Sequence, residues 1–438
     1  MNRKERESGF STFFPFLFFF ALTNLVASRA IRLKSFLMIN RFVLVCLFCL
    51  GLAAFGTRVS AQDARVQYPG LLRKAYFGVN LGYINYPFGN EHLAPGYTAA
   101  SVQVPHLAIR ITLLGYRFND YLSGQITYMR PFNWVEYHDI NNNKAKNSVW
   151  MNVGGLTLKA QTPVRKRFSA YGEAGLGVIT RNGFDIGGEP VVADGSYATV
   201  LAGGGIQYHL NRKWTFNVSG TYAPGRDKIR QPHTVYFSGG FSYNMQPLSD
   251  ARVQRNGSSG YIFPRNLFQV GYTTNGLGYG VNKFVSEGAI PIFWGGEARL
   301  RRGFSMNYQH NVFHTRKVFS LDIGTSFGYW ESRINHDQIF TLSIYPLLRF
   351  TALRTKPADF YLNYSVAGPS FISRVQIDDK NTGKNFTFRD FMGLGAYMGK
   401  ARKINAEINI GHFSNGNVFP SNAGVMIPLG FHLGYAFR

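Results

Sequence analysis

Between Val318 and Tyr329, large apolar residues alternate with small or polar ones. Phe319, Leu321, Ile323, Phe327 and Tyr329 interleave with Ser320, Asp322, Gly324, Ser326 and Gly328. Side chains on a strand point to opposite faces in turn, so one face here is bulky and apolar and the other small and polar. A soluble barrel turns its apolar face inward, and this pattern is the inverse. It recurs in Phe340, Leu342, Ile344, Leu348 and Phe350 against Thr341, Ser343, Tyr345 and Arg349. It recurs again in Phe360, Leu362, Tyr364 and Val366 against Tyr361, Asn363 and Ser365, and in Leu107, Ile109, Ile111 and Leu113 against Ala108, Arg110 and Thr112. A polar, filled lumen inside a lipid-facing wall accounts for all four. The expected fold class is all-β, a transmembrane antiparallel β-barrel architecture in an outer membrane.

Composition agrees with that architecture. Only 16% of the residues are charged, against about 25% in an average globular protein. The 48 Gly, 39 Phe and 25 Tyr supply tight turns and aromatic girdles. Mean hydropathy is slightly negative. Outside the N-terminus no apolar run reaches the roughly 20 residues of a spanning helix, so a bundle of membrane helices is excluded. The two cysteines, Cys46 and Cys49, fall in the N-terminal apolar segment, which excludes a disulfide framework or a Cys-based metal site in the rest of the chain. The ten His residues are scattered and no Asp/Asn calcium loop is evident, so neither a cofactor nor a metal is expected.

The net charge is +24. The basic residues are dispersed and no nucleic-acid motif accompanies them, so nucleic acid is not an expected partner. One reading of the charge is attraction to an anionic surface such as the phosphate-rich lipopolysaccharide of an outer leaflet. The other is basic turn residues, such as Arg165-Lys166-Arg167, at a membrane edge.

Residues 38–61 read Met-Ile-Asn-Arg, an apolar run Phe42–Phe55, then Val59-Ser60-Ala61 before Gln62. A basic start, an apolar core and a small-residue cleavage site predict a secretory signal peptide with a mature start near Gln62. An earlier apolar stretch, Phe13–Val26, is interrupted by Pro15, Thr23 and Asn24. Either the true start is Met38 or the leader is unusually long; in both cases residues 1–61 lie outside the fold.

Turn spacing gives the organisation. Short turns near Arg117–Asp120, Val164–Arg167 and Asn211–Lys213 alternate with longer polar loops near Phe88–Ala100, Trp134–Lys146, Asn182–Tyr197 and Pro224–His233. That is the periplasmic–extracellular asymmetry of outer-membrane barrels. It predicts about eight strands within residues 62–244. The pattern breaks over 245–265, which reads as a linker. It resumes over 266–438 with about eight more strands, ending in Val425, Ile427, Leu429, Phe431, Leu433, Tyr435 and Phe437. Two tandem barrels are expected, the alternative being one barrel of about sixteen strands. Insertion of either would involve the barrel-assembly machinery.

One strand carries chemistry. His412 and Ser414 are two apart and therefore share a face, a candidate base beside a candidate nucleophile. Ile404, Ala406, Ile408 and Ile410 precede them on that face. Counted from a periplasmic start, the strand runs outward and ends beside the loop Asn415–Ala423. A hydrolytic pair on the lipid-facing wall at the outer leaflet points to a lipid substrate.

His412-Phe413-Ser414-Asn415-Gly416, followed by Pro420, Asn422 and Gly424, resembles the signature of the outer-membrane lipid A deacylases, the PagL family of acyloxyacyl hydrolases. The resemblance covers Leu267–Arg438 and implies an eight-stranded barrel and hydrolysis of an acyl ester of lipid A. It implies Ser414 as nucleophile and His412 as general base. Backbone N–H groups near Asn415 and Gly416 would hold the oxyanion, with Asn422 as a further positioning residue. The first half resembles small outer-membrane barrels in general. The family's acid, a Glu that orients the His, would fall at or near Met426, where this chain has no carboxylate; none follows Glu407.

Register offers a substitute. If the turn between the last two hairpin strands is Gly399–Lys403, Met398 pairs with Ile404 and Asp390 lies opposite His412. Directly opposed residues share a face, with Cβ atoms roughly 5 Å apart. Asp390 is therefore the expected orienting acid, the alternative being a charge at the outer rim. Glu407 has the parity of the lumen. Two other functions compete with an esterase: a structural or binding barrel that has lost its acid, and a porin-like channel. The large lumen-facing Tyr345, Arg349 and Tyr361 suit a plugged small barrel better than a channel.

Overall fold

The computed structural model describes residues 64–287 and 296–438. The expected signal segment and both cysteines lie outside them. Two closed barrels follow one another along the chain. The first is walled by β1 (Ala75–Asn85), β2 (Leu107–Arg117), β3 (Leu122–Pro131), β4 (Asn147–Arg165), β5 (Phe168–Asn182), β6 (Gly195–His209), β7 (Trp214–Ala223) and β8 (Thr234–Asn244). Each strand pairs antiparallel with the next, and β8 returns to β1 with Tyr76 opposite Asn244. The second is walled by β9 (Asn266–Thr274), β10 (Ala298–His314), β11 (Phe319–Ser332), β12 (Gln338–Arg354), β13 (Ala358–Ile372), β14 (Phe386–Met398), β15 (Ile404–Ser414) and β16 (Val425–Phe437). It closes through β9 and β16, with Asn266 opposite Phe437. Two eight-stranded barrels, not one of sixteen strands, is the architecture.

The alternation explains both walls. Leu81, Val200, Ile206, Phe237, Ile323, Phe327 and Leu394 stand exposed on the outside, while Ser320, Asp322, Ser326, Thr341 and Asn363 are buried within. Backbone groups need no water because every wall strand is paired on both sides, which is what a hydrocarbon environment demands.

Polar networks fill both lumens. In the first, Arg110 makes a bidentate pair with Glu173 (2.7 and 3.0 Å), which also accepts from Gln125 and Thr157. Lys159 stacks over the ring of Tyr171 at 3.9 Å. In the second, Glu407 accepts from Tyr361, Asn363 and Asn409 at 2.7–3.0 Å, and Arg349 pairs with Asp322. Glu407 is thus a lumen residue. Because Arg110 and Glu173 are both buried, removing one strands the other. Glu173→Ala should cost about 3–5 kcal/mol, read as a lower guanidinium midpoint of the refolded protein; an unchanged midpoint would mean that water compensates the arginine.

The structure departs from the expected pattern in three places. First, the long outer loops of the first barrel carry extra strands. Ala99–Gln103 pairs with Val135–Ile140, and Phe184–Ile186 with Glu189–Val192. They enclose an apolar cluster that includes Tyr86, Phe88, Tyr137, Ile140 and Val192, a long-range association that local alternation does not encode. Second, the 245–265 segment contains a helix, α1 (Asp250–Gly257), whose Asn256 donates to Val66 O at 3.1 Å. Third, β16 does not keep one alternating face. Its pairing with β15 slips between Asn409↔Gly430 and Gly411↔Ile427. Pro428 sits in that slip and has no N–H for a ladder. Phe431, Leu433, Tyr435 and Phe437 are exposed, but Val425 and Ile427 turn into the buried plug with Trp330 and Phe413.

Candidate active site

β15 ends at Ser414, and its neighbours on both sides meet His412. Asp390 of β14 is directly opposite His412 on one side, with Met398 opposite Ile404 as the turn spacing requires. Met426 of β16 is opposite it on the other. The slip in β16 is what turns Met426 to this face. So the position where the resemblance places an acid holds a thioether, and among the described residues the carboxylate beside His412 comes from the preceding strand.

His412 is 3% exposed. Its Nδ1 lies 3.7 Å from Asp390 Oδ2, an ion-pair contact longer than a hydrogen bond, and Nδ1 has no hydrogen-bond partner. The other oxygen of Asp390 accepts the N–H of Ala367. That amide is available because β13 bulges: its register against β14 shifts between Ser365 and Gly368, and Ala367 adopts φ 51°. A non-glycine residue in this region is strained by about 1–2 kcal/mol, and such bulges re-aim groups near sites. Asp390 is held by one strand and faces the histidine of another.

Ser414 Oγ is surrounded by donors from its own loop. Gly416 N–H donates to it at 3.1 Å, Asn422 Nδ2 donates at 3.1 Å, and the Ser414 hydroxyl itself donates to Asn422 Oδ1 at 3.3 Å. Gly416 reaches this position in the left-handed region, φ 63°. Asn415 behaves differently from its neighbour. Its N–H is already taken by Asn422 Oδ1 at 2.9 Å, and its Nδ2 donates to Thr382 O and Ser421 O at 3.0 and 2.6 Å. Asn415 therefore braces the loop, while Gly416 and Asn422 are the donors that face Ser414. Against this brace packs Gly383 at φ 99°, where a Cβ would collide with the Asn415 amide and Ser421 O.

Sequence reasoning missed three contributors. Asn417 Oδ1 accepts from Asn422 Nδ2 at 2.7 Å and fixes that amide's orientation. Ala367 supplies the amide for Asp390, and nothing in its sequence context announces a bulge. The helix α2 (Gly280–Glu287) lies against the last strands, its Asn282 donating to Ile427 O at 2.9 Å. Among the described residues no group of three or more His, Cys, Asp or Glu could hold a metal.

Residues 302–435 match the family model described as lipid A 3-O-deacylase (PagL), and residues 47–244 match the outer membrane protein beta-barrel domain. No curated protein matches the chain. Among solved structures, the outer membrane enzyme PagL is 14% identical over 39% of this chain and 97% of its own, with a TM-score of 0.29. Neisserial surface protein A is 16% identical over 39% of this chain and 97% of its own, TM-score 0.27. The N-terminal β-barrel domain of Pseudomonas aeruginosa OprF is 15% identical over 39% and 98%, TM-score 0.26. The chain is an outer-membrane β-barrel protein of two eight-stranded barrels, and its second barrel carries the match to the lipid A 3-O-deacylase family.

Proposed function

We propose that the second barrel is a lipid A deacylase, a serine esterase that removes an acyl chain from lipopolysaccharide in the outer leaflet. The observation that carries this reading is the set of residues at the end of one strand: His412 faces Asp390 of the neighbouring strand, and Ser414, two residues on from His412, has Gly416 N–H and Asn422 Nδ2 on its Oγ. Ser414 Oγ attacks the ester carbonyl as His412 Nε2 takes its proton, and Asp390, on the Nδ1 side, favours the imidazolium that forms. The carbonyl oxygen becomes an oxyanion beside Gly416 N–H and Asn422 Nδ2, which donate to Ser414 Oγ in the free protein and turn to the oxyanion as the Oγ–C bond forms. The tetrahedral intermediate collapses, the C–O bond to the sugar breaks, and the sugar oxygen takes the proton from His412. Water then attacks the acyl-serine, with His412 again as base, and releases the free fatty acid.

A buried histidine whose Nδ1 lacks a hydrogen bond supports this reading, because free enzymes often show long catalytic contacts that tighten around the substrate. The test is mass spectrometry of lipid A after incubation of the purified full-length protein with lipopolysaccharide in mixed micelles. Loss of one acyl chain, with one equivalent of fatty acid released, is the expected result. An unaltered acyl pattern would leave the second barrel a structural or binding protein.

A further inference from the structure

The outer wall of the first barrel is apolar except at one level. Asn152 of β4 pairs with Thr180 of β5, which pairs with Ser196 of β6, and Asn182 lies two residues beyond Thr180 on the same face. Their parity is outward: the lumen side of these strands carries Thr157, Lys159, Glu173 and Gln207. Leu156, Leu176 and Val200 stand exposed on the same outward faces, closer to the periplasmic turns. A row of hydroxyls and amides above a lipid-facing belt is costly unless it is partnered.

The partner is the loop that follows Ser414. Asn152 Nδ2 donates to Asn417 O at 2.9 Å. Thr180 Oγ1 and Ser196 Oγ donate to Val418 O at 2.8 and 3.2 Å. Asn182 Nδ2 donates to Pro420 O at 3.3 Å. Asn152 and Thr180, though outward, are 3% and 0% exposed because the loop covers them. The same short segment contains Asn417, whose Oδ1 orients the Asn422 amide, and Asn422, which reaches Ser414. On its opposite side the loop is tied to its own barrel, by Asn415 to Thr382 O and by Ala423 N–H to Asn381 O.

We propose that the outer rim of the first barrel is a positioning element for the esterase site of the second. The row Asn152, Thr180, Asn182 and Ser196 clamps the carbonyls of Asn417, Val418 and Pro420. It thereby holds Asn422 and Gly416 at their stations beside Ser414. None of the four touches the reacting atoms. Their effect is on the geometry of the oxyanion donors, and a small misplacement of such donors is expensive in rate. This assigns the first barrel a role in catalysis, and it rests on the deacylase reading for its catalytic consequence.

The test is a triple variant of the full-length protein, Asn152→Leu, Thr180→Val and Ser196→Ala. It removes three of the four donors, leaving the longest contact at Asn182, and it roughly keeps their volume and suits a lipid-facing wall. Two readouts are taken. Hydrogen exchange of the amides in 415–423 should quicken about tenfold while both barrels keep their heat-modifiable mobility on gels. The kcat for lipid A deacylation should fall about 10–100-fold with KM unchanged, since the donors act after substrate binds. Exchange that does not change overturns the clamp, whatever the activity. Faster exchange with unchanged kcat overturns its catalytic role. A wild-type protein that releases no acyl chain defeats the deacylase reading instead, and the exchange data still decide the clamp.

Discussion

Ser414→Ala should lower kcat for lipid A deacylation by about 10⁴-fold or more, with KM little changed. Removing the nucleophile of a Ser–His hydrolase leaves only the background that binding and the oxyanion donors supply, and losses of this size follow when one member of such a unit is deleted. The variant should fold as the wild type does. The Asn422 amide keeps its contacts to Asn417 Oδ1 and to Asn415 N–H when the serine hydroxyl is gone, so the loop has no cause to move. Ser414 also lies at the end of β15, and the pairing of its neighbours does not depend on its side chain. The measurement is the rate of fatty acid release under saturating lipopolysaccharide, alongside gel mobility to establish folding. A folded variant with wild-type kcat would remove Ser414 from the mechanism and return the question to the binding-barrel alternative.

The fold was legible because a barrel wall writes itself into local sequence. Phe319 to Tyr329, or Phe360 to Val366, needs no partner to be recognised as one lipid-facing and one lumen-facing edge. The hairpin turns then fix register, and the Asp390–His412 opposition follows from the single turn at Gly399–Lys403. What stayed hidden depends on contacts between distant segments. The slip at Pro428 that turns Met426 toward His412 is a two-strand property. The bulge that places Ala367 N–H on Asp390 requires a strained φ at an alanine, which no sequence rule anticipates. Nothing in the local sequence marks Asn152, Thr180 and Ser196, whose partner is a loop of the other barrel. For the candidate oxyanion donors, the motif names the segment Asn415–Asn422. In the structure the Asn415 N–H is taken by Asn422 Oδ1, while Gly416 N–H and Asn422 Nδ2 are the groups on Ser414 Oγ.

Asp390→Asn should reduce kcat by about 10³–10⁴-fold, and adding Met426→Glu should restore a substantial part of it. Asparagine keeps the shape of the side chain and can still accept the Ala367 amide, so the bulge is preserved. The charge that favours an imidazolium at His412 is lost, a change that in serine hydrolases costs about 10⁴-fold with geometry intact. The second substitution uses the other neighbour. Met426 is directly opposite His412 on β16, so its side chain shares the face of the ring. Glutamate is unbranched and of similar length. Met426 is buried, so a carboxylate there is accommodated by pairing with the His412 ring. Recovery of at least about tenfold in the double variant relative to Asp390→Asn would mean that an acid on either flank can serve this histidine. It would also separate charge from scaffolding, because Met426→Glu does nothing for the Ala367 bulge. Asp390→Asn at full activity would make Asp390 a rim charge. An inactive Asp390→Asn that Met426→Glu fails to raise, with both proteins folded, would mean that a carboxylate serves this histidine only from the β14 side.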